Sequence, residues 1–304
     1  MMSSLKFGTL LVILVATGGP ALAEPAGFPS PEAAVTAMIA ALQAGDRPAM
    51  LEIFGPENED LLSTGRPEED REIWGDFLRN VEIFQQIEPA GEDRAILYAG
   101  RERWPFPVPL IRQDSLWHFD PNEGREEILM RRIGLNELAV IDIMTRAAAV
   151  QTAFRQEDHD GDSVKEFASS ILSSPGKPDG LYWPDLPGTE KSPLGDFMAR
   201  ASDAGYSLDG KDSAPEPYLG YFFRILQAQG PAAAGGAYRY MIGDNMLAGH
   251  ALLAYPAAYG DSGIMTFAVN EAGIVYQIDL GEKTLVEAAA LNAFDPGEGW
   301  TPVQ

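Results

Sequence analysis

The sequence predicts an α+β protein of two compact units joined by a long helix. Three amphipathic helical patterns come first and then give way to short segments with a period of two. A long apolar pattern of helical spacing, Glu126–Glu157, occupies the middle of the chain. The last third consists of short strand patterns separated by turn residues, which is typical of an antiparallel meander. Because 304 residues exceed the usual size of one domain, we expect two units.

Residues 1–23 have the features of a cleavable signal peptide. Lys6 supplies a positive region, an apolar stretch follows at 7–18, and Ala21-Leu22-Ala23 has the pattern that signal peptidases cut. A retained anchor is the alternative, but this stretch is shorter than the ~20 residues needed to span a bilayer. We therefore expect a periplasmic or secreted protein without a stable membrane anchor.

The composition is strongly acidic and contains no cysteine. Asp and Glu total 45 against 22 Lys and Arg, which gives a formal net charge of -23. Such a charge disfavours nucleic acid and anionic membrane surfaces as partners. The lack of cysteine excludes disulfides, thiol catalysis and a cysteine-linked lipid anchor. Solubility alone is the simpler explanation of the acidity, and cation binding is the specific alternative.

The first α+β unit is predicted at residues 24–125. Ser30 is a suitable N-cap, Pro31 suits the first helical position, and Gly45 ends the helix. The other predicted elements are helices at 48–54 and 68–84, strands at 95–99 and 116–119, and an extended edge segment at 104–110 in which every second residue is proline.

The second unit is predicted at residues 126–304. It begins with the long helix, which we expect to bend or break near Gly134. The predicted strands are 218–226, 238–242, 248–255, 264–269 and 274–278, with turns at 243–245 and 270–273.

An acidic loop directly after the long helix has the form of a calcium site. Asp158, Asp160 and Asp162 alternate, so their carboxylates are able to converge on one hard cation. The carbonyl oxygen of Val164 and the carboxylate of Glu166 are the further candidate ligands. We therefore predict a structural calcium site formed by these five residues.

This loop differs from a standard EF-hand. Ser163 stands at the sixth position, where glycine is usual, and Ser169 stands at the twelfth, where glutamate is usual. Only a shortened loop, closed early by Glu166, would bind calcium. The alternative is a solvated acidic turn whose carboxylates accept hydrogen bonds from backbone N–H groups.

Several separated motifs resemble a known family. They are Phe54-Gly55-Pro56, Asp60 to Gly65, Trp104 to Pro107, Gly124 to Leu129, Arg131 to Gly134, the acidic run Asp158 to Asp162, and Pro175 to Pro184. Together they are similar to the bacterial exported proteins catalogued as domain of unknown function 2950, over nearly the whole chain after the signal peptide. The resemblance implies export and a shared fold, and it implies no particular activity.

Each unit also has a looser resemblance. The helix that opens at Pro31 and closes at Gly45-Asp46 is similar to that of NTF2-like α+β cones, which often serve as binding modules. Stretches at 136–141, 220–225 and 267–270 resemble the soluble head of type IV pilin-like and pseudopilin proteins. This second resemblance implies a helix packed on an antiparallel sheet.

We therefore expect a non-catalytic binding or assembly factor of the cell envelope, with an envelope protein or ligand as its partner. The alternative is an envelope hydrolase that acts on a carbohydrate in a cleft lined by Trp104, Tyr182 and Trp183. The sequence places no two acids at a catalytic separation. It also lacks a G-x-S-x-G elbow, a Walker loop and a dinucleotide fingerprint.

Overall fold

A computed structural model describes residues 25–171, 173, 178–183, 192 and 217–303. The predicted signal peptide, residues 1–23, lies outside the described residues. The chain divides into two compact units, Met1–Ile128 and Leu129–Gln304. Among the described helices, none has the length and the apolar character needed to cross a membrane.

The helices of the first unit begin and end at the residues that cap them. Ser30 Oγ accepts a hydrogen bond from Ala33 N at 3.2 Å, which satisfies a free donor at the start of α1. Gly45 ends this helix with a φ of 64°, a conformation that favours glycine. The first helix is therefore confirmed. The helical segments are α1 (Pro31–Ala44), α2 (Arg47–Phe54), a 3-10 helix (Pro56–Leu61) and α3 (Pro67–Ile83).

An antiparallel sheet follows these helices. Its strands are β1 (Gln85–Pro89), β2 (Arg94–Ala99), β3 (Trp104–Pro105), β4 (Leu110–Gln113) and β5 (Leu116–Phe119). The order is β1-β2-β4-β5, and β3 pairs with β2 outside this path. The sequence did not predict β1, because its polar composition becomes a strand only through pairing with β2.

The core of the first unit lies between its helices and its sheet. Phe54 of α2 is fully buried and stacks on Phe119 of β5, with ring centroids 4.7 Å apart. Phe106 contacts both rings and reaches Phe77 of α3 at 5.2 Å. An α+β unit is thus confirmed, while the NTF2-like cone stays an expectation.

The long helix α4 (Pro121–Phe154) has 34 residues and includes the boundary between the two units. It begins before the predicted Glu126, because Asp120 Oδ1 accepts hydrogen bonds from the backbone N–H groups of residues 122 and 123. Helical structure continues through Gly134, so the helix does not break there, and the alternative of a bend stays an expectation. A glycine lowers helix stability by about 1 kcal/mol, and the surrounding helix tolerates this cost.

A second antiparallel sheet dominates the second unit. Its order is β14-β13-β12-β11-β6, which includes the predicted meander. The strands are β6 (Tyr221–Leu226), β11 (Ala251–Pro256), β12 (Met265–Asn270), β13 (Tyr276–Asp279) and β14 (Thr301–Pro302).

Two short hairpins and one short helix complete the described part of this unit. The predicted strand 238–242 is two strands separated by Tyr240, because the two halves pair with different partners. The α-helix between β13 and β14 was not predicted. These elements are β7 (Ala228–Gln229), β8 (Tyr238–Arg239), β9 (Met241–Ile242), β10 (Asn245–Met246), a 3-10 helix (Gly281–Lys283) and α5 (Thr284–Ala290).

The second core packs α4 against the sheet. Val140 and Met144 of α4 are fully buried, as are Tyr221 of β6 and Phe267 of β12. Trp300 is partly buried against the same cluster. The α+β class is confirmed for this unit, and the pilin-head resemblance stays an expectation.

Candidate metal site

The acidic loop is fixed to the end of α4 by an aromatic contact. The His159 ring stacks on Phe154, the last residue of the helix, with ring centroids 3.9 Å apart. His159 Nε2 also lies 3.0 Å from the carbonyl oxygen of Phe154. Gly161 and Ser163 turn the chain with φ values of 83° and 72°. The loop is therefore a defined turn that returns the chain toward the sheet.

Three carboxylates converge in this turn. Asp158, Asp160 and Asp162 each offer one oxygen, and these oxygens lie within 4.8 Å of one another. All three side chains are exposed, so water has access to complete a coordination shell. The structure thus brings together the three aspartates that the sequence predicted, in an arrangement that could hold a metal ion.

The same carboxylates accept hydrogen bonds from the backbone of the loop. Asp158 accepts from Gly161 N at 2.8 Å and from Ser163 N at 2.9 Å. Asp162 Oδ1 accepts from Val164 N at 2.7 Å. The bond from Gly161 is the main reason that the pKa of Asp158 is lowered. The turn predicted by the alternative interpretation is present, and it leaves oxygen lone pairs for a cation.

Glu166 lies outside the group of three converging carboxylates. Its Oε2 accepts a hydrogen bond from Met246 N in β10, at 2.7 Å. Burial raises the pKa of this carboxyl group, and repulsion from the three aspartates adds to the effect. For Val164, the contact described is its N–H bond to Asp162, whereas the prediction concerned its carbonyl oxygen.

The loop is connected to the β9–β10 hairpin through three hydrogen bonds. Asn245 Nδ2 donates to Asp162 Oδ2 at 2.6 Å, and Phe167 N donates to Met246 O at 2.9 Å. The third is the bond from Met246 N to Glu166. Asn245 was missed as a member of the site because the sequence showed only its role in a turn. Its proximity to Asp162, 83 residues away in the chain, depends on the tertiary structure.

The aromatic residues of the predicted cleft do not share one environment. Tyr182 and Trp183 are buried in the second unit, with 7% and 8% of their surface exposed. Trp104 belongs to the first unit and is 65% exposed. Buried rings are not available to stack on a sugar. The structure therefore gives the predicted hydrolase cleft no support at these residues.

Two of the motifs that carry the family resemblance, Asp60 to Gly65 and Gly124 to Leu129, are in contact in the first unit. Arg125 donates two hydrogen bonds to the Asp60 carboxylate, both at 2.7 Å, and one to Asn58 Oδ1 at the same distance. This arginine holds the pKa of Asp60 below its usual range. Asn58 is buried and also donates to the carbonyl oxygen of Phe54 at 2.7 Å. Arg125 thus fastens the start of α4 to the 3-10 helix that contains Asn58 and Asp60.

Comparison with known proteins gives one match. A family model described as Protein of unknown function (DUF2950) matches residues 26–303. No curated protein and no solved structure matches the chain at a significant level. Since the match spans nearly the whole chain, including both units and the acidic loop, the protein belongs to the DUF2950 family of proteins of unknown function.

Proposed function

We propose that this protein is an exported, non-catalytic binding or assembly factor of the cell envelope, whose second unit is stabilised by calcium in the acidic loop. The convergence of Asp158, Asp160 and Asp162 is the observation that carries the calcium part. The signal-peptide pattern at residues 1–23 supports export. The net charge of -23 favours a partner other than nucleic acid.

Calcium suits the loop because of its ligand chemistry. The converging atoms are all carboxylate oxygens, the ligands that hard divalent cations prefer. Calcium accepts irregular shells of six to eight oxygens that include water, whereas magnesium requires a nearly ideal octahedron. An exposed loop with three carboxylates therefore fits calcium better. Binding would also relieve the mutual repulsion of the three charges.

The proposed role of the cation is structural. The loop contacts the β9–β10 hairpin through Asp162 and Glu166, so an ordered loop holds the end of α4 to that hairpin. A cation that binds only the folded loop stabilises the folded state by mass action, by about 2.7 kcal/mol at a concentration 100 times Kd. The readout of the site is therefore protein stability.

We expect calcium to raise the melting temperature, and Asp160→Ala to abolish the rise. Calorimetry of the full chain in millimolar CaCl2 is compared with NaCl of equal ionic strength. Since 1 kcal/mol moves the melting temperature by about 2–4 °C in domains of this size, the rise should be several degrees. Asp142→Ala is the matched control, because Asp142 is an exposed acid of α4 that pairs with Arg146 outside the loop.

The control variant should keep the full response to calcium. The calcium site is rejected if millimolar calcium leaves the melting temperature of the wild type unchanged, or if Asp160→Ala responds as the wild type does. An equal rise in melting temperature with magnesium would show that the loop is a cation site without selectivity for calcium. The binding role has its own test, which is the recovery of a specific envelope component by the tagged wild type from periplasmic extract.

A further inference from the structure

We propose that a cavity among the three helices of the first unit binds a monoanionic amphiphile, with an alkyl chain inside and a carboxylate at Arg71. This inference names a ligand class for the proposed binding role and so rests on that role. It is independent of calcium, because the cavity is built from the first unit alone. The calcium site and the ligand cavity can therefore be tested separately.

The cavity has a volume of about 350 Å³ and lies between α1, α2 and α3. This volume is near the lower end of the range for small-molecule pockets, about 300–1,000 Å³. Its wall is largely apolar and includes Ala41, Leu42, Met50, Leu62, Trp74 and Leu78. The only polar atom of the Trp74 ring, Nε1, already donates to Leu62 O at 3.1 Å. The interior therefore suits an alkyl chain better than a sugar or a nucleotide.

Four charged residues also line this cavity, and three of them have partners within the protein. Arg47 forms an ion pair with Glu59. Asp46 accepts a hydrogen bond from the backbone at the start of α2. Asp70 accepts from the backbone of Thr64 at 2.6 Å and from two hydroxyl groups.

Arg71 is the exception in this set. It lines the cavity, and its side chain has no hydrogen-bond or ion-pair partner among the described residues. In a chain with 45 acidic and 22 basic residues, most arginines of the first unit pair with a carboxylate. An unpaired guanidinium beside an apolar cavity offers five N–H donors to an anion.

The two aspartates that line the cavity favour an anion with one negative charge over a dianion. Asp46 and Asp70 line the same cavity and would repel a dianion such as a phosphate monoester. A carboxylate fits the planar guanidinium through two parallel hydrogen bonds. The ligand class is thus an alkyl carboxylate, with the chain among Leu42, Trp74 and Leu78.

The test is calorimetric titration of the full chain with octanoate, 1-octanol and acetate in the presence of EDTA. We expect saturable binding of octanoate and none of acetate, because acetate lacks the chain. Arg71→Gln should weaken the binding of octanoate at least fivefold and leave the affinity for 1-octanol unchanged. Arg101→Gln is the matched control, since Arg101 also lacks a partner among the described residues and does not line the cavity.

A second variant is designed to fill the cavity with a larger side chain. Gly75 lines it, and a Cβ at this position would meet only the end of the flexible Arg79 side chain, at 3.3 Å. Leucine is also a better helix former than glycine, so Gly75→Leu should fold. Because its side chain would fill the cavity, this variant should bind both octanoate and 1-octanol more weakly.

Three results would overturn the inference. They are no saturable binding of octanoate, equal octanoate affinity in wild type and Arg71→Gln, and an equal loss in Arg71→Gln and Arg101→Gln. Any of these would leave the calcium test untouched, and a failed calcium test would leave octanoate binding in EDTA untouched. The failure of one proposal is thus distinguishable from the failure of the other.

Discussion

His250 illustrates how a single buried residue sets a dependence on pH. Its side chain is 3% exposed and lies against Phe167, with ring centroids 4.7 Å apart. Its Nε2 has no hydrogen-bond partner among the described residues. Burial lowers the pKa of this histidine from 6.5 to about 4, because an apolar environment disfavours the charged ring. The low pKa cannot be predicted from the sequence, because His250 lies in a segment with the pattern of an ordinary strand.

We expect this histidine to destabilise the protein as the pH falls from about 6.5 to 4. In that window the unfolded chain binds a proton that the folded chain does not, so the free energy of unfolding decreases. The full effect is up to about 3 kcal/mol, from the difference between the two pKa values. The free energy of unfolding therefore has its full value above pH 6.5 and decreases progressively between pH 6.5 and about 4.

His250→Leu removes the titrating group and should flatten the curve in this window. The measurement is urea unfolding of wild type and variant between pH 7 and pH 4. Parallel curves for the two proteins would contradict the prediction, as would a histidine proton signal, assigned to His250 by NMR, that titrates near pH 6.5.

At the scale of secondary-structure elements, Glu137 connects α4 to the start of β12. Its Oε1 accepts hydrogen bonds from the backbone N–H groups of Ile264 and Met265, at 2.8 and 2.9 Å. The hydroxyl of Tyr221 donates to the carbonyl oxygen of Met265 at 3.0 Å. Gly263 permits this contact, because a Cβ there would lie 2.0 Å from the Tyr221 oxygen. One carboxylate thus organises the approach of a helix to the sheet.

Replacement of Glu137 by alanine should lower the free energy of unfolding by about 1–3 kcal/mol, because two backbone donors lose a charged acceptor. Glu137→Gln keeps an oxygen acceptor and should lose less. Both values come from urea unfolding at neutral pH. Glu126→Ala is the control on the same helix. Glu126 is exposed and has no described partner, so its replacement should lower the free energy of unfolding by less than about 0.5 kcal/mol. Equal losses at positions 126 and 137 would show that the contact with β12 contributes nothing.

For the whole molecule, net charge is the dominant electrostatic feature. The acids exceed the bases by 45 to 22, whereas the ion pairs described are mostly on the surface. Exposed pairs contribute between about 0 and 1 kcal/mol each, so they offset little of the repulsion among the unpaired acids. Repulsion within the folded chain therefore outweighs attraction at low ionic strength.

Monovalent salt should consequently stabilise the protein. We expect the melting temperature in 0.3 M NaCl to exceed that in 10 mM buffer by a few degrees, because the Debye length falls and screens the repulsion. Chloride is preferred to sulfate, which stabilises folded proteins by exclusion from their surface. A melting temperature that falls with NaCl would show that attractive pairs dominate instead. The salt series also gives the baseline for the calcium experiment.

Features that depend on neighbouring residues can be predicted from the sequence. Ser30 and Gly45 set the ends of α1, and the turn at 270–273 sets the antiparallel pairing of β12 with β13. The spacing of the aspartates brings Asp158, Asp160 and Asp162 into one turn. Each of these is a local effect, in which a few residues satisfy or restrict the backbone beside them.

Features that depend on distant partners become visible in the folded protein alone. Polar residues 85–89 became β1 through pairing with β2, and Tyr240 divided a predicted strand. Asn245 joined the acidic loop, and Arg71 was left unpaired beside a cavity, for the same reason. Long-range packing decides which backbone and side-chain groups find a partner, and a linear pattern of residues does not contain that information.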